Sequence, residues 1–183
     1  TRLVAQTLGT QAHIVVRPPE EAARAVLEPA GAGEAVASRV ERSAQRTRSI
    51  VRWQQVVDEL GTMPDVVAVS PTVSGPAVAV RGNATRAVVL YGVDPARFTR
   101  IYPMHERMIS GRFAPTGTGC ALGRELAQDL GVHVGDRIRL AAVGGANEVY
   151  TVDGIFDLGN RDVNRRWVIV AMRGAQTLLD LVG

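Results

Sequence analysis

The sequence contains no lysine: all 21 basic residues in its 183 are arginine. A Walker-type phosphate loop, whose lysine reaches the nucleotide phosphates, is therefore excluded. Arginine stands even at plainly polar surface positions, so the bias reads as a GC-rich coding habit rather than selection for phosphate recognition. Aromatic residues are also scarce, at 4%, which argues against base-stacking platforms and ring-walled pockets. Cys120 is the only cysteine. It rules out an intrachain disulfide and leaves the redox compartment open. Long apolar runs are missing too: the longest charge-free stretch, Val66 to Val80, is interrupted by Pro71, Gly75 and Pro76 and is too short for a bilayer helix. No signal peptide is visible, and a chain that opens at Thr1 without methionine is expected to be a processed or excised segment.

What is present is ordinary globular material, 46% hydrophobic and 21% charged with a net charge of +3. A chain of this size buries roughly 70% of its unfolded surface and folds without staples. The densest basic run, Arg39, Arg42, Arg46, Arg48 and Arg52, is interleaved with Glu41, Ser43 and Gln45. It reads as a solvated helix face, and no nucleic-acid partner is expected.

The pattern predicts a strand over Gln11–Arg17, stopped by Pro18 and Pro19, then a short helix to Leu27 and a small-residue connector over Ala30–Ala37. Ile50, Trp53, Val57 and Leu60 recur at helical spacing, with Gly61 expected to close that helix in the left-handed conformation. Pro71 bends or demotes the β-rich run "DVVAVSPTV". Strands over Ala77–Arg81 and Arg86–Val93 flank a Gly82-Asn83 turn. Phe98–Phe113 reads as irregular with one helical turn. Arg124–Leu130 is a two-turn helix burying Leu126 and Leu130 and stopped at Gly131. Arg137–Val143 and Glu148–Phe156 make a hairpin through Gly144-Gly145. A last strand, Arg166–Ala171, precedes a helix over Gly174–Leu181. This order suggests an α+β fold, a split β-α-β unit interrupted by a β-rich insertion.

Candidate chemistry is thin. His13, His105 and His133 have no second ligand at metal spacing, so no metal is expected, and no cofactor. Cys120 lies at the mouth of a helix but without a partner base, and reads as a small buried residue. "GTGCALG", Gly117 to Gly123, fails as a dinucleotide loop because the preceding "RFAPT" is polar and contains a proline. The strongest charged cluster is Asp153, Asp157, Arg161, Asp162, Arg165 and Arg166. With Asn160 and Asn164 as turn formers and arginines on both sides of Asp162, it reads as a structural joint, with Asn160, Asp162, Asn164 and Arg165 at its centre and no catalytic residue.

Five short strings, "YGVDP" (Tyr91 to Pro95), "ISGRF" (Ile109 to Phe113), "ALGRELAQDLGVHVGDRIRL" (Ala121 to Leu140), "TVDGIFDLG" (Thr151 to Gly159) and "RWVIVAMRGAQTLLDL" (Arg166 to Leu181), stand in an order that resembles the extracytoplasmic core of FtsX-like ABC transporter permeases, the relatives of MacB, LolC and LolE. The resemblance implies a porter-like α/β part, residues 1–75 and 164–183, interrupted by a β-rich Sabre-like insertion, residues 76–163. It implies a place on the periplasmic side of the inner membrane between flanking membrane helices. A second permease subunit, a cytoplasmic ABC ATPase and a periplasmic adaptor or carrier are the implied partners, and no bond chemistry occurs in the domain. A free-standing periplasmic binding module is the alternative. Two departures from the family stand out. The hairpin "AAVGGANE", Ala141 to Glu148, is too short to hook a carrier as lipoprotein-releasing members do, and residues 18–48 form a long helical or flexible lead-in. The chain also stops at Gly183, ahead of the strand expected next. The polar stretch at Gly159–Arg166 is then expected to return the chain from the insertion to the porter-like part.

Overall fold

The computed structural model describes residues 14–18 and 49–181. The helix expected up to Leu27, the connector at Ala30–Ala37 and most of the arginine run lie outside the described residues. Helix α1 is Trp53–Gly61. Strands β1 (Thr72–Arg81) and β2 (Ala84–Val93) form a hairpin in which Arg81 pairs with Ala84. Gly82 takes the positive φ of 53° that its turn requires. Two short helices follow, α2 (Pro95–Ile101) and α3 (Met104–Arg107), then strand β3 (Met108–Gly111). Strand β4 (Gly119–Gly123) runs straight into α4 (Arg124–Leu130), and β5 (Arg137–Ala142) pairs with β6 (Asn147–Phe156). Helix α5 (Arg161–Arg166), strand β7 (Trp167–Ala171) and helix α6 (Met172–Leu178) complete the order.

Among the described residues the fold is mixed α/β around one sheet ordered β3-β6-β4-β7-β2-β1-β5, and β5 also pairs with β6. That extra ladder closes six strands into a barrel, with β3 appended to the far half of β6. Alternate residues of every barrel strand point inward. Ala77 and Ala79, Val88 and Leu90, Val168 and Val170, Cys120 and Leu122, Tyr150 and Val152, and Ile138 and Leu140 make one buried cluster. Helix α4 closes the end near the β1–β2 turn, where Arg81 donates to the Gly131 carbonyl and Arg86 meets Asp129. Helix α6 closes the other end, with Ala175 and Leu178 buried in the same cluster. Outside the barrel, Phe98, Met104 and Phe113 cover Val93, Ala121, Phe156 and Ile169 in a second cluster.

Several expectations are corrected. Residues 14–17 form no strand and pair with no described strand; Ile14 is 80% exposed, and a β-run without a neighbour has no ladder to hold it. Gly61 is the last residue of α1 but has no left-handed conformation; Thr62 ends the helix instead, its N–H and Oγ1 both donating to the Glu59 carbonyl. Strand β1 starts at Thr72, directly after Pro71, and takes β5 alongside only from Ala77, just beyond Pro76, which has no N–H to give to a ladder. Phe98–Phe113 is more regular than its spacing suggested. It contains most of α2, with Asp94 capping through bonds from Ala96 N and Arg97 N, all of α3, and an edge strand. Phe98 and Met104 are held by the outer face of the barrel, a tertiary partner invisible in local periodicity.

Cys120 faces the barrel interior with no exposed surface. Burial, with the Asp153 charge adding to it, pushes its thiol pKa well up, so it stays protonated. Native protein is expected to leave Cys120 unmodified by an aromatic disulfide reagent, and labelling is expected to follow the global unfolding rate as denaturant is added. Fast labelling without denaturant, followed by absorbance, would contradict the packed barrel.

Candidate functional site

The polar stretch between β6 and β7 is the most connected side-chain network in the described residues. Where β6 ends, Asp157 Oδ1 accepts from Gly159 N at 2.8 Å and from Asn164 Nδ2 at 2.7 Å. Gly159 has a φ of 78°, which glycine adopts without strain. Asn160 caps α5, its Oδ1 accepting from Asp162 N at 3.0 Å and Val163 N at 3.3 Å. Asn164, only 1% exposed, accepts from Leu158 N at 2.9 Å through Oδ1 while its amide nitrogen serves Asp157. One buried side chain thus joins both ends of the loop.

Helix α4 supplies the other half. Arg124 lies 2.6 Å from Asp157 Oδ2 through Nη1 and 3.1 Å from Glu125 Oε1 through Nη2. Arg161 reaches Glu125 Oε1 at 4.0 Å, and Arg165 shares Asp129 Oδ2 with Arg86, each at 3.5 Å. The backbones approach closely as well: a Cβ built on Gly123 would lie 2.0 Å from the Asn164 carbonyl oxygen. Glu125 is buried, and its Oε2 has no hydrogen-bond partner among the described residues. Burial alone would raise its pKa, but the Arg124 bond, with help from its own backbone and Asn164, holds it below the usual carboxylate range. The Gly159 N–H and then the Asn164 amide hold Asp157 low against the opposing effect of burial, with smaller help from the Arg124 and Arg107 charges. Both carboxylates are therefore ionised at neutral pH, an arrangement suited to fixing α5 rather than to passing protons.

The structure brings Asn160, Asn164 and Arg165 into this network. Asp162 occupies the exposed first turn of α5, and the described partners of the neighbouring Arg161 and Arg165 are Glu125 and Asp129 rather than Asp162. The stretch is also a short helix rather than a plain turn. Gly123, Arg124 and Glu125 were not anticipated as part of it. Their sequence signal was a charged pair directly after a buried strand, which says nothing of a partner more than thirty positions away.

Asp157 gives the network a pH signature. Its folded pKa is below its ordinary value of 3.8, so the unfolded chain binds the proton more readily. Its contribution to stability is complete above that ordinary value and is lost as pH falls through the lower folded value. The melting-temperature gap between wild type and Asp157→Asn, read by circular dichroism, is expected to be largest at neutral pH and to vanish in strong acid. A constant gap would assign the effect to shape instead.

The sequence pattern of the MacB-like periplasmic core domain matches residues 4–182. The chain belongs to that family. It is 26% identical over 143 residues to the lipoprotein-releasing system transmembrane protein LolC of Xylella fastidiosa strain Temecula1, covering 72% of this chain and 34% of that protein. The same protein from strain 9a5c is 25% identical over the same shares. The chain thus spans about a third of the length of these curated relatives. The extracellular domain of the noncanonic ABC-type transporter YknZ from Gram-positive bacteria superposes with a TM-score of 0.53 at 14% identity, over 68% of this chain and 64% of that one, a likeness of fold. No helix among the described residues of this MacB-like domain is long and apolar enough to cross a membrane.

Proposed function

We propose that this domain is the moving extracytoplasmic part of an ABC export permease of the MacB and FtsX type, coupling cytoplasmic ATP hydrolysis to the export or extraction of a substrate outside the membrane. The match to the periplasmic core domain pattern across residues 4–182 carries this reading. The partners that follow are a second permease subunit, an ABC ATPase on the cytoplasmic side, and a periplasmic adaptor or carrier. In this reading residues 1–75 and 164–183 form the porter-like part and residues 76–163 the Sabre-like insertion. Asn160, Asp162, Asn164 and Arg165 belong to the joint between them, because α5 is where the chain leaves β6 and turns into β7. The β5–β6 connection is four residues, Val143 to Ala146, too short to wrap a carrier, which favours export over hand-off of a lipoprotein.

The test uses the full-length permease reconstituted with its ATPase. Spin labels at Val143, which is 82% exposed, on the two copies of a dimer are expected to change separation between the ATP-bound and nucleotide-free states. A separation that stays fixed while ATP is hydrolysed would end the coupling reading. Recovery of the native gene product only as a soluble periplasmic protein would replace it with a free-standing binding module.

A further inference from the structure

The two sides of the barrel are fastened very differently. On the C-terminal side α6 interlocks with the strands: a Cβ on Gly92 would lie 2.3 Å from the Ala175 Cβ, and one on Gly75 2.8 Å from Leu179 Cδ2. Among the described residues the N-terminal side shows no such fit: a Cβ on Gly61 would meet nothing within 4 Å. Helix α1 has nine residues, begins after Arg52 in a left-handed conformation, has no side-chain cap and no acidic residue in its first turn. An isolated helix of that length is marginal in water. Val57 is its one buried residue.

The chain after α1 is no better secured. Residues 66–70 join no strand ladder, Val67 is 88% exposed, and the Ser70 hydroxyl is buried without a partner among the described residues. One hydrogen bond among the described residues ties this stretch to the layer around the barrel, from Arg100 Nη2 on α2 to the Val67 carbonyl at 3.0 Å. Beneath it lies a cleft of about 260 Å³ lined by Val57, Gly61, Val66, Val69, Arg97 and Arg100.

We propose that Trp53–Ser70 is an arm that swings on Ser70-Pro71, and that Arg100 is the clasp that holds it against α2. The arm then opens and closes over the cleft while α6 and the barrel move as one body. Its use as the mobile element of the permease rests on the coupling reading; its motion does not.

The experiment places spin labels on Gln55→Cys and Val143→Cys in the 183-residue chain, with Cys120 left buried, and reads distance distributions for the unaltered clasp, Arg100→Ala and Arg100→Lys. Loss of one exposed hydrogen bond is expected to raise the open population roughly fivefold in Arg100→Ala. Lysine, which can still donate to Val67, is expected to restore most of the closed state. Hydrogen exchange supplies the control: α1 amides speed up in Arg100→Ala while those of β4 and β7 keep their rates. An unchanged distribution in Arg100→Ala overturns the proposal, as does equal acceleration across the barrel strands, which would make Arg100 a support of the core. Neither result bears on whether ATP moves the domain in the full permease.

Discussion

Gly123→Ala is expected to destabilise the protein by roughly 3 kcal/mol, the upper end of the usual cost of overpacking, and to lower the melting temperature by about 6–12 °C. The reason is space, not backbone freedom. The φ of Gly123 is −70°, which any residue adopts. A methyl group there would meet the Asn164 carbonyl oxygen at 2.0 Å, its Cα at 2.4 Å and its carbonyl carbon at 2.5 Å. Those are backbone atoms, so relief requires α5 to move away from β4, and with it the bonds to Asp157 and Leu158. Gly144→Ala is the comparison, because nothing lies within 4 Å of a Cβ built there and its melting point should barely change. Equal melting points for the two variants, by calorimetry, would show that the β4–α5 contact is loose.

Asn164→Ala attacks the same joint from its other side. The substitution strands the Leu158 N–H and takes a donor from the ionised Asp157, which together should cost roughly 3 kcal/mol. Its more telling companion is Asn164→Asp. The nitrogen now 2.7 Å from Asp157 Oδ1 would be replaced by an oxygen, and two carboxylates at that distance cannot both ionise without strain. Such a pair holds a shared proton more tightly folded than unfolded, so its folded pKa is raised. Stability should then rise as pH falls from 7 to 5, a window in which the wild-type Asp157 contribution is flat because it is complete above 3.8. Chemical denaturation at pH 7 and pH 5 would decide it. A variant whose stability fails to rise between the two would mean that Asn164 does not face Asp157.

Much of the fold was written locally in the sequence. Helix α4 was legible because Leu126 and Leu130 sit four apart and Gly131 supplies the left-handed stop, which it does with a φ of 64°. The hairpins were legible because Gly82-Asn83 and Gly144-Gly145 interrupt alternating runs. The closure was not: the β5–β1 ladder joins residues some sixty positions apart, and no local pattern reports it. The joint divides in the same way. Asn160 and Asn164 could be picked out as turn formers by residue type alone. That Asn164 would be buried, and that Arg124 and Glu125 of a distant helix would complete the network, depended on β4 running beside β7.

The place of β7 has a consequence for how the chain matures. It is the last strand of the described residues, yet it lies between β2 and β4. Until residues near Ala171 are available, β2 and β4 have no shared neighbour and the ring stays open. A polypeptide emerging N-terminus first would thus keep β1 to β6 in an open ring until β7 arrives, then lock late and cooperatively. Assembly through such distant pairings is intrinsically slow.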